Sequence, residues 1–248
     1  MAHIPAVLAP NSSPELVEPA SGDSHRLLWF ELFLVLTIAF AGTIASAIYL
    51  LRHGPGPAQN SLQNSSRWIS GALHEITALF LLGYVLFRRG LRSRLQAIGG
   101  RWSLRDLLTG MFLWLGATGA SIAVWQVTRT LQHALLGTAA RSPSASAFFA
   151  HPGLAAIPYF LLNPFFEELI VRAFLMTEII ELTGSTALAV ALSVAVQFSY
   201  HLYYGWAGAT SVSASFLCFA LYYARARKIL PVIVAHEFMD IIGLIRLW

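Results

Sequence analysis

Three observations predict that the chain folds as an all-α, polytopic transmembrane helical bundle of about seven or eight spans. Hydrophobic residues make up 56% of its 248 positions and charged residues only 11%, where a soluble domain carries roughly 25% charged residues. Mean hydropathy is +0.63. The apolar residues also gather into stretches that approach the roughly 20 residues a helix needs to cross a hydrocarbon core.

Taken in order, residues 1–25 are rich in Pro, Ser and acid. They lack a basic segment ahead of an apolar core and a small-residue cleavage site, so they read as a disordered N-terminal tail and not a signal peptide. A first unit, 26–128, holds spans at about 27–51, 68–87 and 107–128, with a basic cytoplasmic loop at 88–106. Ser103 to Asp106 has capping-box spacing and starts the third span. A second unit, 153–247, holds spans at about 153–183, 186–204, 208–224 and 229–247. The stretch 153–183 is too long for one upright helix and is interrupted by Pro158 and by Asn163-Pro164. It is one kinked, tilted span or a half-helix feeding a full one, which adds an eighth segment.

Charge placement orients these spans. Of 16 basic residues all but Lys228 are Arg, and the formal net charge is +4. Arg88, Arg89, Arg92, Arg94, Arg101 and Arg105 crowd one loop, and Arg225, Arg227 and Lys228 crowd another. By the positive-inside rule both loops are cytoplasmic. Basic loops beside lipid are an orientation signal with some anionic-lipid contact, so the lipid bilayer and no nucleic acid is the expected partner. Cys218 stands alone, which excludes a disulfide and a thiolate metal cluster.

Against this apolar background six residues stand out: Glu167, Glu168 and Arg172 in one span, His201 in the next, and His236 and Asp240 in the last. A charge at the bilayer centre costs at least about 2.5–3.5 kcal/mol, so such residues face protein, water or substrate. Asn163 followed by Pro164 is a helix-start signal, which places Glu167 and Glu168 one turn inside a new helix. Glu168 and Arg172 are four apart in the favourable order for an ion pair. Glu167 points about 100° away and is left free by that pair. A hairpin about Gly184 sets Glu167 and His201 at equal height, since each lies 17 residues from it. His236 and Asp240 share a face of the last span. His74, Glu75, His133 and His151 read as solvated residues at span ends or in loops. Tyr200, Tyr203, Tyr204 and Trp206 read as an interfacial aromatic belt.

Glu-Glu-x-x-x-Arg at 167–172, His201 followed by Leu-Tyr-Tyr-Gly-Trp, and His-x-x-x-Asp at 236–240, each on its own apolar helix, resemble the CAAX-protease and bacteriocin-processing (CPBP) family of intramembrane proteases. The resemblance covers 153–247 and makes that unit a CPBP-like catalytic core. It implies an intramembrane endopeptidase that hydrolyses a peptide bond of a membrane-anchored peptide or protein, with Glu167 activating water and Glu168 assisting. His201, His236 and Asp240 would bind the substrate carbonyl or its oxyanion, and Arg172 would hold the carboxylates. The pattern departs from the family at Gln197, where Phe is common four residues before the His.

Substrates implied by the resemblance are prenylated CAAX tails in eukaryotes or bacteriocin-like leader peptides in bacteria. It also implies a multi-pass integral membrane protein, in the cell membrane if bacterial. No cofactor is required, but two His with carboxylates can bind zinc, and His236-Glu237 approaches the His-Glu-x-x-His motif, so a zinc metalloprotease on the same residues stays an alternative. A non-enzymatic immunity or helper protein, or a transporter, is the other. A transporter predicts Gly/Pro-broken segments in both halves, and only the second half has one.

Overall fold

The computed structural model describes residues 22–54, 61–90, 103–136 and 153–247. The tail as far as residue 21, most of the loop 88–106, and His151 lie outside these residues. Among those described there is no strand. The elements are α1 (Gly22–His53), α2 (Ser61–Arg88), α3 (Leu104–Leu136), α4 (Ala156–Glu167), a π-helical segment (Glu168–Met176), α5 (Thr177–Thr183), α6 (Thr186–Tyr200), a 3-10 turn (Leu202–Tyr204), α7 (Gly205–Ala226) and α8 (Leu230–Leu247). Residues 22–25, expected in the tail, form the first turn of α1.

Among the described residues four helices are long and apolar enough to cross a membrane: His25–His53, Gln63–Arg88, Leu104–Leu135 and Leu202–Ala226. Thr186–Tyr200 is apolar but shorter. The distribution of side chains agrees with a lipid surround. Phe80 is 76% and Phe112 65% exposed, while Glu168 and Arg172 are fully buried. Apolar rings face outward and ionisable groups inward, the reverse of a water-soluble domain.

The helix-start reading at Asn163-Pro164 is corrected by the structure. α4 begins at Ala156, runs through Pro164 and continues without a break into the π segment and α5. Proline lacks a backbone N–H and normally breaks a helix interior. Here the upstream turns are held in place by tertiary packing, with Ala156 and Phe160 in a buried cluster around Trp68 of α2. Asn163 does not cap; its Nδ2 donates to Asp240 Oδ2 at 3.1 Å. Glu167 and Glu168 therefore sit in mid-helix, away from any helix terminus.

The hairpin about Gly184 is present. Gly184 takes a left-handed conformation (φ 70°) and its N–H donates to Ile180 O at 2.8 Å, ending α5. Ser185 then caps α6 by accepting from Leu188 N at 3.2 Å. α3 lies along α7 and α8. Ser211 and Ser215 of α7 donate to the carbonyls of Ser121 and Ala117 at 2.9 and 3.0 Å, the small-residue contact that lets membrane helices approach. Gly110 makes the α3–α8 approach possible, since a Cβ there would stand 2.6 Å from Val234 Cγ1 and 2.8 Å from Pro231 O.

Ion pairs gather at one end of the bundle. Arg89 bridges Glu31 of α1 and Glu178 of α5, and Arg88 also pairs with Glu31. Lys228 pairs with Asp106 at 2.8 Å, and Asp106 accepts from Ser103 N at 2.9 Å, which starts α3 as its spacing predicts. Arg227 Nη1, 3.4 Å from Thr177 Oγ1, ties the two groups of pairs to the same end. This is the end that the basic loops mark as cytoplasmic.

Candidate active site

A cavity of about 170 Å³ lies between α1, α2, α4, the C-terminal end of α6 with its following turn, and α8. A water occupies about 30 Å³ of liquid, so several fit. Glu167, His201, His236 and Asp240 line it. Glu167 lies eleven residues before Glu178, which sets the cavity on the order of 15 Å below the ion-paired end at about 1.5 Å per residue. Non-helical backbone is tolerated at such depth only where it lines a cavity or is buried in protein. The turn after α6 meets that condition: Tyr203 and Tyr204 line the cavity and Leu202 is buried.

The two adjacent glutamates are held differently. Glu168 is the first residue of the π segment, a form frequent at functional sites. Its Oε2 lies 3.2 Å from Arg172 Nε and its Oε1 accepts from His236 Nδ1 at 2.7 Å. Glu167, expected to be free, is held from α6: its Oε2 accepts from Tyr200 Oη at 2.5 Å and from Gln197 Nε2 at 2.9 Å. The ion pair of Glu168 with Arg172 thus forms as the spacing predicts, and the isolation of Glu167 does not.

Arg172 is fully buried and does not line the cavity. Its Nη2 donates to Gln197 Oε1 and its guanidinium lies 4.9 Å over the Phe216 ring. Gln197 therefore links the Glu168–Arg172 pair to Glu167. Its carbonyl also accepts from His201 Nδ1 at 2.8 Å. A carbonyl only accepts, so Nδ1 carries the proton, and a neutral His201 presents a bare Nε2. His236 Nε2 stands 4.0 Å from Glu167 Oε2 and 3.7 Å from Asp240 Oδ1. Those gaps are too long for direct hydrogen bonds and of the size a bridging water fills. Phe216 packs between the imidazoles, 5.1 Å from His201 and 5.3 Å from His236 by ring centroid.

Three helical units thus bring all six sequence-predicted residues into one connected network: four line the cavity, and Glu168 and Arg172 stand behind it. Among the described residues no group of three or more His, Cys, Asp or Glu is arranged to hold a metal ion. His236 turns Nδ1 to Glu168 and His201 turns Nδ1 to a carbonyl, which leaves Nε2 of each ring for another partner.

Residues 149–242 match the Rce1-like family, type II CAAX prenyl endopeptidases. The match spans all three motifs and bears out the resemblance to the CPBP family. An Rce1-like segment implies a protease in a membrane setting. No curated protein and no solved structure matches the chain.

Several cavity residues escape the sequence reading. Tyr200 is 3% exposed and bound to Glu167, and Tyr203 and Tyr204 line the cavity, so these three are not an interfacial belt. Trp206 alone of that set is outward, at 62% exposure. His74 and Glu75 lie in the middle of α2, not at a span end, and both line the cavity. The His74 Nε2 donates to Ala39 O of α1 at 3.0 Å. The available signal was an acid placed four residues after Gly71 within an apolar helix.

Proposed function

We propose that the protein is a multi-pass integral membrane endopeptidase that hydrolyses a peptide bond of a membrane-associated substrate, using water activated by Glu167. The observation that carries this reading is the asymmetry at Glu167: both its donors end on Oε2, which leaves Oε1 to meet a water in the cavity. The Rce1-like match supports the reaction class. Seven crossings follow if α4 to α5 counts as one kinked span and α6 and α8 each cross. For a bacterial chain the membrane is the cell membrane.

In this reading the water attacks the carbonyl carbon while its proton passes to Glu167. His236 acts as the imidazolium, which donates from both ring nitrogens: Nδ1–H is held on Glu168 and Nε2–H is given to the oxyanion. His201, with its Nδ1 proton on a carbonyl, offers Nε2 as an acceptor that orients water or a substrate N–H. The tetrahedral intermediate then collapses, the C–N bond breaks, and Glu167 returns the proton to the leaving amine. Asp240, held by Asn163, faces the same imidazole as Glu167 and keeps it in place.

The test is cleavage of lipid-anchored CAAX-type and leader-type peptides by the purified chain in liposomes. Glu167→Gln is expected to lower kcat about 1,000-fold with its unfolding temperature unchanged, since general-base catalysis contributes about 100- to 10,000-fold. Full activity in that variant overturns the mechanism. Loss of wild-type activity in chelator, with return on adding zinc, overturns its metal-free form.

A further inference from the structure

α2 lies outside the Rce1-like segment, yet it lends the cavity a carboxyl group. Glu75 is 2% exposed, lines the cavity, and its Oε2 has no hydrogen-bond partner among the described residues. The other acids of the site are all engaged: Glu168 by Arg172 and His236, Glu167 by Tyr200 and Gln197, Asp240 by Asn163. Buried polar groups in native proteins nearly always have partners, so one that lacks a partner and faces a cavity is placed for a ligand to satisfy.

The wall around it indicates which ligand. Glu75, Glu167 and Asp240 line the cavity together with His74, His201 and His236, and no Lys or Arg does. The guanidinium of Arg172 is turned to Glu168 and Gln197 behind it. Tyr159 adds an aromatic surface next to Glu75, because Gly71, four residues earlier on α2, leaves room for its ring: a Cβ there would stand 2.9 Å from Tyr159 Cδ2. Carboxylates beside aromatic faces favour an organic cation.

We propose that Glu75 is a specificity-determining residue that receives a basic side chain, Lys or Arg, of the substrate next to the scissile bond. This rests on the peptidase reading and deepens it. The N-terminal helices then choose the substrate, and the Rce1-like segment cleaves it.

The experiment uses the full chain in liposomes with lipid-anchored peptides carrying Arg, Lys or norleucine at each position flanking the cleaved bond. Wild type is expected to prefer the basic peptides by about 10- to 100-fold in kcat/KM, the worth of a hydrogen bond to a charged group. Glu75→Gln is expected to bring that ratio close to one, mainly through KM, and Glu75→Asp to keep it. The same peptides, labelled, are assayed for binding to Glu167→Gln protein and to the Glu75→Gln, Glu167→Gln double variant. Cleavage without a basic preference, or a preference that survives Glu75→Gln, overturns this inference and leaves the peptidase reading standing. Charge-selective binding that depends on Glu75, with no cleavage of any peptide, does the reverse. Should the Glu75 variants not fold, wild type still decides, since equal kcat/KM and equal Kd across the three peptides overturn the proposal.

Discussion

The ion pairs at the end of the bundle and the network around the cavity are built from the same residue types, arranged to opposite effect. At the end, Arg89 touches Glu31 and Glu178 directly, and Lys228 touches Asp106. Each charge is met by its counter-charge. Around the cavity only the Glu168–Arg172 pair and the His236–Glu168 bond are closed in that way. Glu167 is held by neutral donors on one oxygen, and His236 Nε2 stands off from two carboxylates by 3.7 and 4.0 Å. Closed pairs lock helices together. Open ones leave positions that a water and a peptide bond can enter.

The largest effect expected from breaking this contrast is at Arg172, the guanidinium of the cavity network. Arg172→Met leaves Glu168 buried without its counter-ion, and breaking a buried pair costs about 3–5 kcal/mol. Thermal unfolding in detergent should show a loss of that order, and double substitution with Glu168→Gln should recover part of it. An unchanged unfolding temperature for Arg172→Met would mean that water reaches Glu168.

Arg89 comes next. Its side chain is 9% exposed and it joins α1, α2 and α5. Arg89→Gln leaves Glu178, 1% exposed, without this partner, while Arg88 still meets Glu31. A loss of about 2 kcal/mol is expected, less than at Arg172 because the bundle end is near water. The kcat of the folded fraction should hold. A fall in kcat with stability intact would show that this end communicates with the cavity.

Gln197 sharpens the comparison from the side of chemistry. Gln197→Leu keeps the size of the side chain but removes the link between Arg172 and Glu167. With Tyr200 still donating to Glu167, the expected result is a drop in kcat of about 10-fold with KM little changed, and partial recovery in Gln197→Asn. A change confined to unfolding temperature would make Gln197 a packing residue only.

Gln197 also shows where the sequence stops speaking. It was visible as a departure from the family pattern, but its three contacts reach α4, the π segment and its own helix end, and only the assembled bundle sets them side by side. The spans, the ionisable residues and the hairpin at Gly184 were legible because hydropathy and turn chemistry act locally. Asn163-Pro164 misled for the same reason. Its local preference is for a helix start, and it was overridden by Phe160 packing on Trp68 and by Asp240 claiming the Asn163 side chain. The sequence places Glu75 in solvent because nothing in its neighbourhood along the chain marks the cavity, which four other elements build.

The smallest effect is expected at Lys228. It pairs with Asp106 as Arg89 pairs with Glu178, but its side chain is 48% exposed, so solvent screens the pair. Asp106 raises the pKa of Lys228 above the ordinary lysine value, through their hydrogen bond first and charge attraction second. A raised lysine pKa adds stability that is present in full below the unfolded-state value and fades as pH climbs through the folded one. That window is alkaline, so no slope in unfolding temperature should come from this pair between pH 6 and 9, and Lys228→Met should leave the unfolding temperature unchanged. Scanning both proteins in detergent across that range, at low and high salt, checks it. A drop of several degrees that salt abolishes would move the lock between the helices from Arg89 to Lys228, and with it the division between closed and open pairs drawn above.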